Sequence, residues 1–229
     1  MAESINLYGD RRLAAGGHGI DVASQRADDL DLMAVEQVRA LVERGREAAA
    51  LDVGCGHGGQ AARLARAGAR VIAMDSGDYR EQVAASMRRA GVETGWAFRR
   101  VSVEDQPELG PFDVIVCQRM IHYLRHDAAR RALRWLLRQA KDGGRLFLSS
   151  SGMDSELGDG YAGRAFPPES RFFPLAPAMA EKHAIQPPVC LYRQPELARL
   201  VADAGWLVER AFLSAFGNVK IVASKGVSG

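Results

Sequence analysis

Cysteine is scarce in this chain: three in 229 residues, Cys55, Cys117 and Cys190, with no Cys-x-x-Cys pair. An odd, scattered set excludes a disulfide framework and a structural zinc site, and a reducing cytoplasm is the expected setting. Long apolar runs are missing as well, since no stretch approaches the roughly 18 apolar residues that a membrane span requires. The first residues, Met1-Ala2-Glu3-Ser4-Ile5-Asn6, lack a basic region followed by an apolar core, so no export signal is expected. Neither sign of charge is in excess: 30 basic against 28 acidic residues leave a net charge of +2. That balance carries no nucleic-acid or membrane footprint. Internal repeats and low-complexity tracts are also absent.

What is present is ordinary globular composition, 47% hydrophobic and 25% charged. The length suits a single α/β domain over residues 1–229, acting as a monomer or homodimer, with a modest appendage. Leu30, Met33, Ala34, Val38, Leu41 and Val42 recur at helical spacing, predicting an amphipathic helix over 26–44 within an N-terminal helical cap, 1–45. Ala48 to Val53 reads as a buried strand ending in glycines. Helix 60–67, strand 70–74, helix 79–90, strand 96–101, strand 112–117, helix 127–140 and strand 145–150 follow. This alternation predicts a largely parallel sheet with helices on both faces.

From 151 to 194 the alternation stops. Six of the nine prolines fall there, and the segment is too long for a plain connector, so a substrate-cap insertion is expected. Helix 195–204 and strands 206–213 and 218–223 close the chain. The last two strands are joined at Gly217-Asn218 and should form a hairpin, which a purely parallel nicotinamide-binding sheet would not contain.

Gly54-x-Gly56-x-x-Gly59 follows a strand and opens a helix, the context in which such glycines permit a tight turn and close approach to a ligand. Asp75 closes the next strand, where a carboxylate can accept ribose hydroxyls. The wording Leu51-Asp52-Val53-Gly54-Cys55-Gly56-His57-Gly58 resembles the glycine motif of class I, Rossmann-like S-adenosylmethionine-dependent methyltransferases. The resemblance continues through Val71-Ile72-Ala73-Met74-Asp75, Phe112-Asp113-Val114-Ile115-Val116-Cys117 and Gly144-Arg145-Leu146-Phe147-Leu148, and resumes from Tyr192 through the terminal hairpin.

The resemblance implies a seven-stranded sheet, mostly parallel with a C-terminal antiparallel hairpin strand, and S-adenosylmethionine as cofactor. It implies that Gly54 and Gly56, with Cys55 between them, approach the methionine part, and that Asp52 orders the loop. Asp75, followed by Ser76, would hold the ribose. At the adenine the family has Asp and a small residue, whereas Ser102-Val103 stands here, with Glu104 or Asp105 as substitute carboxylates. Gln118 and Arg119 fall where relatives touch the methionine end.

Methyl transfer is an in-line displacement, so proximity and alignment dominate and no triad is required. His122 is the candidate for acceptor contact or general base, and Arg119, Tyr123 and Tyr161 for substrate contacts. His122 and His126 are four apart, but an N-cap at Asp127 would start the helix after both, and no metal site is expected. Cys55 reads as a small buried filler. The arginines of helix 127–140 read as a solvated face.

Aromatics and arginines of the insertion, including Arg164, Phe166, Arg171, Phe172, Phe173, His183 and Tyr192, together with Tyr8, Arg11, Arg12 and His18, suit a capped pocket for a small molecule. The expected reaction is methyl transfer to an oxygen, nitrogen or sulfur centre of a metabolite or natural product. A protein or nucleic-acid methyltransferase is an alternative that lacks both a basic surface and an Asn-Pro-Pro-Tyr-like tetrapeptide. A non-catalytic S-adenosylmethionine-binding regulator is another, and it would have a blocked acceptor pocket.

Overall fold

The computed structural model describes residues 11–12, 18–22 and 26–227, with only the backbone of Arg11, Arg12, Ile20 and Asp21. Two short strands, β1 (Arg11–Arg12) and β2 (Ile20–Asp21), pair antiparallel. The main sheet is built from β3 (Ala48–Val53), β4 (Ala69–Asp75), β5 (Trp96–Arg100), β6 (Phe112–Gln118), β7 (Ala140–Ser150), β8 (Leu207–Leu213) and β9 (Val219–Ser224). Its order is β5-β4-β3-β6-β7-β9-β8. Pairings from β5 to β7 are parallel, and β9 runs antiparallel to both of its neighbours. This is the Rossmann-like sheet expected from the sequence.

β3 is buried at all six positions, which explains why its sequence is a continuous apolar run rather than an alternating one. One face carries α1 (Asp29–Glu43), α2 (Gly59–Arg66) and α3 (Arg80–Arg89), which share a core containing Leu30, Val38, Leu64, Val83 and Met87. The other carries α4 (His126–Gln139) and α6 (Gln194–Asp203) over Ile115, Leu133, Trp135, Leu197 and Val201. The arginines of α4 at 130, 131, 134 and 138 are exposed, while Trp135 is buried and donates to the Pro107 carbonyl at 3.0 Å.

Three boundaries differ from expectation. α4 begins at His126 with Arg125 as N-cap, and the Asp127 carboxylate instead accepts from Arg131 one turn on, at 2.6 Å. β7 starts at Ala140 rather than 145, because a register shift between Phe112 and Val114 absorbs Asp142-Gly143-Gly144 inside the strand. The hairpin turn is longer than Gly217-Asn218: Ser214 N donates to Asn218 O and Gly217 N to Ser214 O.

Residues 151–194 contain short 3₁₀ turns and α5 (Pro177–His183), with a small core of Met153, Leu157, Tyr161, Leu175, Ile185, Val189 and Leu191. The segment meets the β8–β9 turn backbone to backbone. A Cβ on Gly152 would lie 1.9 Å from the Gly217 carbonyl oxygen, so only glycine permits that approach.

Candidate active site

At the carboxyl edge of the parallel strands, where open α/β sheets bind ligands, lies a cavity of about 1360 Å³. Its floor is the turn after β3. Gly54, Gly56 and Gly58 have φ of 69°, 50° and 78°, a left-handed path that glycine adopts without strain. Gly54 N and Cys55 N both donate to Met74 O, at 2.9 and 3.1 Å, which ties the turn to the end of β4. A Cβ on Gly54 would lie 2.8 Å from Met120 Cγ, so a side chain there would be driven into the loop after β6.

Asp75 fixes the same turn from the other side. Its Oδ2 accepts from Gly56 N at 3.0 Å and its Oδ1 from Gly77 N at 2.9 Å. Each carboxylate oxygen has two lone-pair directions, so both keep capacity for a ribose hydroxyl. Asp52, the last but one residue of β3, is almost completely buried, and its Oδ2 has no hydrogen-bond partner. Burial first, then the neighbouring Asp31, pushes its carboxyl up to about 7.

Beyond β5, Ser102, Val103 and Glu104 line the cavity. The Ser102 hydroxyl accepts from Glu104 N at 3.2 Å, and the Asp105 carboxylate turns back to accept from Ser102 N at 3.2 Å. Asp105 is thus a capping group, which leaves Glu104 as the carboxylate that lines the cavity here.

On the far side of the turn, Gln118 donates to Asp31 Oδ1 at 2.5 Å and accepts from the Ser149 hydroxyl at 3.2 Å. Arg119 has φ of 51° and donates its backbone N–H to Ser149 O. His122 is 1% exposed and faces Ser151: its Nδ1 accepts from Ser151 N at 3.4 Å, and its Nε2 lies 3.4 Å from Ser151 Oγ. Burial, reinforced by Arg119 and His18, drives its imidazole down to about 3, so the ring is neutral. Tyr123 stacks near His122 at 4.2 Å between ring centroids and donates its hydroxyl to His18 O at 2.8 Å. Leu157, His183 and Ile185 from the insertion, and Phe216 from the hairpin turn, complete this end.

The cavity therefore gathers Asp52, Gly54, Cys55, Gly56, Asp75, Ser76, Ser102, Val103, Glu104, Gln118, Arg119, His122 and Tyr123. Tyr161 stands apart. It is buried inside the insertion's own core, with its hydroxyl donating to Val189 O at 2.5 Å, so it is no wall of the cavity. Arg171 also departs from the recognition role expected of it, being a buried clamp on Glu196. Tyr8 lies outside the described residues, as do the side chains of Arg11 and Arg12.

Sequence reasoning missed Asp31, Gln60 and Lys220, which also line the cavity. Their only sequence signal was a polar residue on an otherwise apolar helix face or strand. Among the described residues no cluster of His, Cys, Asp or Glu could hold a metal ion, and no helix is long and apolar enough to cross a membrane.

A family model described as a methyltransferase domain matches residues 24–211. The chain belongs to this family, the S-adenosylmethionine-dependent methyltransferases of the class I fold. It is 36% identical over 104 residues to the ubiquinone biosynthesis O-methyltransferase of Hahella chejuensis, a match that covers 44% of this chain and 42% of that protein. The chain thus aligns with less than half the length of that curated relative.

In fold it is similar to the 1,6-didemethyltoxoflavin-N1-methyltransferase of Burkholderia thailandensis, solved with its substrate and S-adenosylhomocysteine. The TM-score is 0.63 at 21% identity, with 86% of this chain and 79% of that one covered. It is similar also to the [4+2]-cyclase SpnF, with a TM-score of 0.62 at 17% identity over 86% and 81% of the two chains. The fold therefore serves more than one chemistry. The family's cofactor fits the residues present: a glycine turn that admits close approach, a carboxylate with free lone pairs at the end of β4, and a buried carboxylate oxygen near the end of β3 that accepts no hydrogen bond.

Proposed function

We propose that the chain transfers the methyl group of S-adenosylmethionine to a small, planar acceptor at an oxygen, nitrogen or sulfur centre. One observation carries this reading. The cavity, at about 1360 Å³, exceeds what one drug-sized ligand usually fills, and its two ends are chemically different. The glycine turn, Asp75 and Ser102 form one end, and His122, Tyr123, Leu157, Ile185 and Phe216 form the other. A cofactor and an acceptor fit side by side, whereas a regulator that only senses the cofactor would need no second compartment. The Hahella and Burkholderia relatives, named as an O- and an N-methyltransferase, are consistent with a cyclic acceptor.

When bound, the cofactor supplies a methyl group already activated by a sulfonium. Asp75 would hold the ribose and Gly54 and Gly56 the methionine part, while Ser102, Val103 and Glu104 flank the adenine. His122 contributes a hydrogen bond in its neutral form and stiffens the Tyr123 loop. With the imidazolium disfavoured by burial, it aligns the acceptor rather than storing its proton. The insertion walls the acceptor end and excludes water.

Calorimetry with S-adenosylmethionine, S-adenosylhomocysteine and NAD tests the cofactor, and a methyl-transfer screen across phenols, heterocyclic amines and thiols tests the acceptor. Binding of the first two without NAD, and turnover in at least one class, are the expected results. Cofactor binding with no turnover in any class would favour a cyclase-like or regulatory role instead.

A further inference from the structure

We propose that Lys220 of β9 and Arg119 of the loop after β6 form an anion subsite at the acceptor end of the cavity, which selects a planar acceptor carrying a carboxylate. The inference rests on the division of the cavity between cofactor and acceptor.

Lys220 lines the cavity, and its side chain is only 3% exposed. It stands in register with Ser149 of β7 and Phe212 of β8, so its side chain shares their face of the sheet, the one that α1 covers. An ammonium has three N–H donors. One meets Asp28 Oδ2 at 3.1 Å, and among the described residues no other hydrogen-bond acceptor takes the remaining two. Asp28 is itself occupied as the N-cap of α1, its Oδ1 accepting from Leu30 N and Asp31 N at 2.9 and 3.1 Å. Phe212 offers only a ring face, with its centroid 5.9 Å from Nζ. A buried cation with donors to spare is costly unless a ligand supplies the missing oxygens.

Strand order sets this cation on the acceptor side. β9 stands three strands from β3, whose end carries the glycine turn, a distance of roughly 14 Å at the usual strand spacing. Asp75 on β4 lies one strand further still. Lys220 is instead close to the β8–β9 turn, from which Phe216 reaches the cavity. Arg119 stands between the two compartments: its charge acts on Asp31 on one side and on His122 and Tyr123 on the other. Among the described residues its guanidinium has no ion-pair partner, so its planar fork is open to a carboxylate. Nearby acids do not cancel these cations. Glu156 is held by Lys182 and His183 and Asp154 by Arg164 at 4.0 Å, Asp31 is met by Gln118 and Asp28 N, and Asp29 is exposed and screened by solvent. Tyr123 and Phe216 supply aromatic walls for the ring that carries the carboxylate.

The test uses the full chain saturated with S-adenosylhomocysteine and titrated, near neutral pH, with benzoate, 2-naphthoate and indole-3-carboxylate, each against its uncharged carboxamide. Expected for at least one ring is tighter binding of the acid by about tenfold to a hundredfold, the scale of a charged hydrogen bond. Lys220→Met keeps the stem and removes the charge, while Arg119→Gln leaves the Lys220–Asp28 pair intact. Each should remove most of the preference for the acid, with S-adenosylhomocysteine bound as in the parent, and Lys220→Arg should retain it. If Lys220→Met does not fold, Arg119→Gln decides alone. An acid preference absent from the parent, or undiminished in the variants, would overturn the subsite. So would weakened binding of S-adenosylhomocysteine with the acid preference intact, which would give the two cations to the cofactor's own carboxylate. Failure of the parent to bind S-adenosylhomocysteine at all would overturn the cofactor reading beneath it.

Discussion

His122 illustrates how burial can give a residue a different character from what its type promises. A histidine at the end of a strand invites a general-base reading, yet the ring is sealed, and its imidazole sits well below the ordinary range. The linkage has a definite sign. The unfolded chain takes up a proton near pH 6.5 that the folded chain refuses until about pH 3, so stability is intact above 6.5 and falls as the pH drops below it. For one such group the loss is about 2 kcal/mol at pH 5. His122→Gln, which keeps a polar group but cannot charge, should narrow the gap between denaturant midpoints at pH 5 and pH 7. An undiminished gap would show that the acid sensitivity lies elsewhere. Asp31 and Asp52 act in the opposite sense: their raised values oppose folding increasingly as the pH climbs from about 4 to 7.

Among the elements, the insertion diverges most from its sequence reading. Its aromatics and arginines suggested a recognition surface, but several of them build the insertion itself. Arg171, 1% exposed, donates to the carbonyls of Gly163, Phe166 and Leu191 and grips Glu196 of α6 through both terminal nitrogens, at 2.6 and 3.0 Å. Replacing it with Ala leaves Glu196 with only Arg193 as donor and strips the guanidinium from the Phe166 and Leu191 carbonyls, at about 3–5 kcal/mol. Lys should rescue little, because a point charge cannot fill a fork. Hydrogen exchange should show residues 151–194 opening before the sheet in Arg171→Ala, and uniform exchange across both regions would contradict an anchor local to the insertion. The sheet and its helices were legible because periodicity and glycine punctuation are local signals. The partners of Arg171, 5 to 25 residues away, are set by tertiary packing that no local spacing encodes. Asp31 was hidden for the same reason, since a lone acid on an apolar helix face acquires meaning only once β3 and β6 are beside it.

At the scale of the whole molecule, the cavity wall from the turn after β3 to Gln118 follows an order and spacing visible in the sequence, whereas the rest of the wall depends on how residues 151–194 fold over it. The same contrast shows in the sheet. β9 pairs with β7 on one side and β8 on the other, so it is an interior strand, and its first five residues are all buried. Removing residues 219–229 would strip β8 of its partner and open an apolar edge on β7. The truncated chain should be insoluble or aggregate on refolding, as measured by sedimentation. A soluble, cofactor-binding fragment would show that β3 to β7 are autonomous. During synthesis the consequence is one of timing. The ribosome makes the glycine turn and its acidic partners early, yet the sheet cannot close until its latest-made strand inserts between two that are already waiting. A nascent chain thus carries the glycine turn and its acidic partners before it has the sheet that holds them in place, and the interval between the two is when chaperones would matter most.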